Sequence, residues 1–187
     1  MKLGEERLGK VDTTYQLLRD IGPWLRGLFF QPRLRISYDP TKSKDKAYTA
    51  DAGMRLACYY HLQVLNEGRG VAKRCKPVLE TVESLDNSSL RLRKPEQMHW
   101  ANEPTLEPVD IERNQARRLD LVFLFQDDRN INFFIPPPPI PVGTTRVFPP
   151  GRYRVRVRVT PEAGKPGVGQ FTLLTDGTWD ALEITTP

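Results

Sequence analysis

The sequence is poor in the residues that most chemistry requires. Only two histidines, His61 and His99, and two cysteines, Cys58 and Cys75, occur in 187 residues. Neither cysteine belongs to a C-x-x-C pair, and two cysteines make neither a disulfide framework nor a metal knuckle. Both fall in expected strands, where a free thiol packs as a small apolar side chain. Free thiols stand ahead of a single inter-strand bridge, because disulfides are rare in the reducing cytosol. No G-x-G-x-x-G, Walker loop, H-E-x-x-H or G-x-S-x-G occurs. The first thirty residues carry charges throughout and lack the apolar centre of a signal peptide. No run approaches the roughly 20 apolar residues that span a bilayer. These absences point to a cytoplasmic chain, peripheral to a membrane at most, with no catalytic residues, no cofactor and no metal.

What the sequence does have is alternation. In Gly151-Arg-Tyr-Arg-Val-Arg-Val-Arg-Val159, Tyr153, Val155, Val157 and Val159 take one side of an extended strand. Arg152, Arg154, Arg156 and Arg158 take the other. Such a strand needs an apolar layer beneath it and water or an acidic partner above it, as in a half-buried antiparallel sheet. The 17 prolines cluster at Pro136 to Pro139, Pro141, Pro149 and Pro150, where an all-β domain puts its loops. The net charge of +5 permits an acidic partner, a phosphate backbone or an anionic membrane without requiring one.

Residues 1–31 read as a helical arm. Val11, Tyr15, Leu18, Ile21 and Leu25 recur at helical spacing, with Asp12, Thr13 or Thr14 as caps and Pro23 as a kink or stop. Trp24, Leu25, Leu28, Phe29 and Phe30, beside Arg19 and Arg26, form an apolar wedge. Three readings stay open for it: a helix covering a sheet edge, an amphipathic anchor at a membrane surface, or self-association through residues 11–30.

Residues 32–187 read as one β-sandwich. Strands are expected at Arg33 to Tyr38, Met54 to Leu65, Val71 to Val82, Leu90 to Arg93, Val109 to Glu112, Leu119 to Phe125, Asn132 to Ile135, Gly151 to Val159, Gln170 to Thr175 and Trp179 to Ile184. Pro77 argues that its strand is an edge or bulged. Leu119 to Phe125 is the most apolar and should be central. Residues 39–51 read as a polar loop, and Asn66-Glu-Gly-Arg-Gly70 is the clearest turn.

Val64-Leu-Asn66-Glu-Gly68, followed by Ala72 and Cys75, resembles the V-x-N-x-G-x-x-x-A strand and turn of bacterial immunoglobulin-like modules, including those related to cell-adhesion domains. Pro150-Gly-Arg-Tyr153-Arg-Val155 is similar to their P-G-x-Y-x-V-x-V penultimate strand. Uncharacterised prokaryotic proteins with a helical N-terminus and a C-terminal sandwich look similar too. The resemblance covers residues 32–187 and implies an Ig-like fold and a binding or spacer role; it carries over no active site. Trp100 and Trp179 fit core anchors, whereas the disulfide of antibody domains has no second cysteine in the later strands.

The remaining chemistry needs tertiary help. A two-histidine metal site would draw on Glu103 or Asp120. Calcium at Asp127-Asp128 or Asp110/Glu112 would need three or more converging oxygens. Cys75 lies among Lys73, Arg74 and Lys76, neighbours of a kind that lower a thiol pKa. Gly164 to Gly169 has the composition of a phosphate loop, but a strand follows it rather than a helix. The arginine row, roughly 20 Å long by strand spacing, fits an acidic protein or a phosphate track. The bland alternative is cross-strand pairing, with Glu162, Asp120 or Glu183 as partners. The expectation is a non-catalytic protein-interaction or scaffold module attached by its arm to a partner or membrane surface. The alternative is a nucleic-acid-binding protein using the Arg152 to Arg158 face.

Overall fold

In a computed structural model of the protein, which describes residues 30–49, 54–92, 94–103, 105–133 and 147–187, every regular element among those residues is a β-strand. The strands are β1 (Leu34–Ser37), β2 (Lys44–Thr49), β3 (Arg55–Asn66), β4 (Ala72–Ser84), β5 (Glu96–Gln97), β6 (Val109–Ile111), β7 (Ala116–Phe125), β8 (Ile131–Phe133), β9 (Val147–Phe148), β10 (Gly151–Thr160), β11 (Gly167–Thr175) and β12 (Glu183–Thr185). They make two antiparallel sheets. One runs β1-β3-β7-β8-β9 and the other β12-β11-β10-β4-β5. Two long strands each carry two short ones end to end. β1 pairs with residues 63–66 of β3 and β2 with residues 55–60, while β5 and β6 divide β4 in the same way.

Period-two patterning builds the core. Cys58, Tyr60, Leu62 and Val64 of β3 face inward with Val122 and Leu124 of β7. Opposite them lie Tyr153, Val155, Val157 and Val159 of β10 and Phe171 and Leu173 of β11. Rings link the layers at one end, where Phe148 stands edge-on to both Phe133 and Tyr153, at 5.3 and 5.5 Å. Tyr60 accepts the Leu182 amide from the other sheet at 3.2 Å.

Both flanks are stitched. The chain from Glu96 pairs first with Val78 and Leu79 of β4, then crosses so that Trp100 bridges Leu119 of β7. On the other side β11 presses against β1. A Cβ on Gly167 would sit 2.8 Å from the Leu34 Cβ, and one on Gly169 would sit 3.1 Å from the Ile36 Cβ. Gly167 and Gly169 therefore serve close strand approach.

Several expectations change. Residues 39–51 hold a strand, β2, hidden in the sequence because an edge strand with Lys44, Asp45 and Lys46 lacks apolar alternation. Of the two expectations for the strand with Pro77, the bulged one holds and the edge one does not: β4 lies inside its sheet and carries register breaks against β10 and β6. In an antiparallel strand a residue's nitrogen and carbonyl face the same neighbour. The Pro77 carbonyl receives the Met98 amide, so the side facing β10 loses no bond. Leu90 to Leu92 makes one bridge, Arg91 to Glu83, rather than a strand. The closing strand is shorter than expected, and Trp179 packs half-buried beside it. The expected helical arm lies outside the described residues except for its last members.

Candidate functional site

The arginine row forms as the alternation requires. Arg152, Arg154 and Arg156 are exposed and Arg158 half-buried, while the valines between them are buried. Its neighbours are not those expected. Between Arg156 and Val157 the partner on β4 jumps from Thr81 to Leu79, so Glu80 is an extra, bulged residue. The bulge turns Glu80 onto the arginine face, where its two oxygens lie 2.8 Å from Arg156 Nε and 2.9 Å from Arg158 Nε. Asp86 accepts the Arg152 backbone amide at 2.7 Å and faces its guanidinium at 3.6 Å. Glu162, Asp120 and Glu183 therefore do not serve the row. Arg154 lies opposite Glu83 and alone of the four forms no ion pair among the described residues.

A second site lies at the end of the sandwich where the chain comes in. Phe30 is 59% exposed there, and the stem 31–33 leads into β1. The turn that the sequence makes obvious, Asn66 to Gly70, grips this stem. Glu67 N donates to the Arg33 carbonyl at 2.8 Å, and Arg69 N to the Gln31 carbonyl at 3.2 Å. A Cβ on Gly68 would collide with the backbone of Gln31 and Arg33, and one on Gly70 with the Phe30 carbonyl. Only glycine allows so close an approach.

Asn66 is the hub of the grip. Its side chain is fully buried and uses all four of its hydrogen-bonding positions. Oδ1 accepts from Arg33 N at 3.1 Å and Gly68 N at 3.0 Å, and Nδ2 donates to the carbonyls of Gly70 at 2.7 Å and Ile111 at 2.9 Å. Its backbone adds bonds to Asn114 and Gln115. One amide thus ties the stem, its own turn, the end of β6 and the turn before β7.

Cations gather around this hub. Arg33, Arg69 and Lys165 line an open pocket of about 470 Å³. Lys73, Arg74 and Lys76 project from the start of β4, where a register break opposite β6 puts Arg74 at φ 49°. That left-handed conformation is rare for a side chain of this size. It leaves Lys73 and Arg74 both exposed before Cys75 turns into the core.

Cys75 itself is no nucleophile on this geometry. It is buried, its Sγ lies 3.2 Å from the Ala72 carbonyl, and burial, with Asp110 nearby, pushes its pKa up to about 12. Burial likewise raises Cys58, and both thiols are free. His61 is buried with Nδ1 donating to Asp120 at 2.6 Å, across a second bulge between β3 and β7. Its Nε2 faces Asp45 at 3.4 Å, and Asp45 also holds Arg118. Asp45 of β2 is thus met by side chains of both β3 and β7. Asp127 is held below the usual carboxylate range by its bonds from Arg55, whose guanidinium stacks 3.8 Å from the centre of Phe125. Asp110 is engaged with the Arg74 amide.

Among the described residues no group of three or more His, Cys, Asp or Glu is placed to hold a metal ion. No helix there is long and apolar enough to cross a membrane. Trp24, Leu25, Leu28 and Phe29 lie outside the described residues, and Phe30 is the one member of the wedge that the structure places. Sequence reasoning missed Asn66 as a hub, Glu80 as the arginine partner and the pole of cations. The N-x-G-x-G spacing was the available signal for the first. In comparisons with known proteins, the chain matches no family model, no curated protein and no solved structure.

Proposed function

We propose that the chain is a non-catalytic interaction module, an immunoglobulin-like sandwich attached by its leading segment to a membrane surface or a protein partner. Strand order supports the finer fold assignment. β1-β3-β7 and β11-β10-β4-β5 follow the A-B-E and G-F-C-C′ order of such domains. Tyr153, near the start of β10, donates its hydroxyl to the Pro149 carbonyl at 2.7 Å, four residues upstream, as a tyrosine corner does.

The observation that carries the functional reading is the gripped stem. A trailing chain end needs no backbone ladder, no saturated buried asparagine and no pair of glycines against it. A segment that transmits attachment to the sandwich does. An exposed phenylalanine at that point, next in sequence to Phe29 and Leu28, suits an apolar attachment. The nucleic-acid reading of the β10 face has less to draw on, since Glu80 and Asp86 engage three of its four arginines.

The test is the full chain with Trp24, Leu28 and Phe29 replaced by Ser. Co-sedimentation with lipid vesicles, or concentration-dependent self-association in sedimentation velocity, should be present in the parent and lost in the variant at an unchanged urea midpoint. Attachment that survives the triple replacement, or is missing from the parent, overturns the reading.

A further inference from the structure

Cations are unevenly treated over the surface. On the flanks Arg35, Arg55, Arg117, Arg118 and most of the β10 row each face a carboxylate. Around the stem, Arg33, Arg69, Lys165, Lys73, Arg74 and Lys76 form no ion pair with any described residue. The pocket between Arg33, Arg69 and Lys165 has no carboxylate in its lining. The acids of the surrounding loops offset only part of this charge. Glu67 is paired with Arg35 at 2.7 Å, Asp110 accepts the Arg74 amide, Glu162 lies beside Arg74 and Lys76, and Glu112 is exposed, so six cations face three carboxylates that no ion pair neutralises.

Resting on the attachment reading above, we propose that this pole docks on a bilayer carrying anionic phospholipids, with the Arg33–Arg69–Lys165 pocket receiving a lipid phosphate. Like charges in excess over their counter-charges are unfavourable alone and become favourable when an anion neutralises them. A negatively charged surface can meet Arg33, Arg69 and Lys165 together, because the stem, the 67–71 turn and the 161–166 loop come together at this end, with the first residues of β4 beside that loop. Arg33 bridges Lys165, Glu67 N bonds Arg33 O, and Glu162 N bonds Lys73 O. Phe30 adds an exposed ring at the same place, suited to the boundary between headgroups and acyl chains. The grip on the stem holds Phe30 at the same end as these cations. A nucleic-acid strand would want an elongated basic track with stacking rings along it, and the elongated track here is the β10 row, already engaged by carboxylates.

The experiment uses the full chain in vesicle flotation, comparing phosphatidylcholine alone with phosphatidylcholine mixed with phosphatidylserine. Binding should be strong only to the mixture and should weaken steeply with salt. Each cation near an anionic surface contributes about fivefold to binding, so R33Q/R69Q/K165Q should bind about a hundredfold more weakly. If that variant loses its fold, K73Q/K76Q, two exposed positions, should still show about a twentyfold drop. Replacing Arg154 with Gln should change nothing. Equal binding to both vesicles would sink the pole and leave attachment through the apolar segment standing. No binding to either would sink the membrane assignment altogether. Displacement by inorganic phosphate at constant ionic strength would assign the pocket to a free anion. Retention on RNA that the same triple replacement abolishes would assign it to nucleic acid, and either result overturns the proposal.

Discussion

The arginine row of β10 and the cations around the stem carry comparable charge, but the fold gives them opposite surroundings. Along β10 a bulge delivers Glu80 to two guanidinium groups and the turn after β4 delivers Asp86 to a third. Around the stem no carboxylate of the described residues comes within ion-pair distance of the six cations, and a residue in left-handed conformation keeps two of them exposed. Regular alternation in a sequence announces a sheet face. It does not announce free charge, because adjacent strands decide how much of that charge is spent on pairing. The cations of the turns and strand start around the stem keep theirs.

The largest effect that would break this comparison is at its hub. Asn66→Ala removes four buried hydrogen bonds and leaves their partners without substitutes, so unfolding stability should fall by about 4 kcal/mol. A urea-midpoint shift equivalent to less than about 1 kcal/mol would mean that the stem is not gripped as described. Gly70→Ala places a methyl group against the Phe30 carbonyl and should cost about 2 kcal/mol, by forcing the stem away from the turn. Amide exchange reports it, with protection falling at Glu67 and Arg69 while the centres of β3 and β7 keep theirs. Undiminished protection at those two amides counts against the close approach.

The smallest effect sharpens the contrast from the other side. Glu80→Gln releases Arg156 and Arg158 from a partly exposed pair, which costs at most about 1 kcal/mol. Retention on heparin should nevertheless rise, because two guanidinium groups become available to polyanions. Unchanged retention would show that the row is not masked by Glu80.

Much of the scaffold was legible in the sequence. Alternation places β3 and β10 to within a residue and the end of β7 at its observed position, with its start three residues late, and the apolar run of β7 marks it as central between β3 and β8. Turn chemistry identifies residues 66–70. What stayed hidden depends on pairing rather than pattern. β2 has no apolar face of its own and exists because β3 offers an edge. Pro77 looks disqualifying until its carbonyl is seen to serve Met98. Glu80 reaches the arginines only because register slips by one residue, and no single strand reveals its neighbour's register. The pole is assembled from loops far apart in the chain, which no local window brings together.

The pairing of β4 with β10 has a consequence for biosynthesis. Val82 lies beside Val155, so the second sheet has no centre until the ribosome has delivered residues 151–160. The strands of the first sheet, by contrast, are all synthesised by Phe148. A nascent chain therefore carries β4 with the edge that β10 will occupy left open while translation continues.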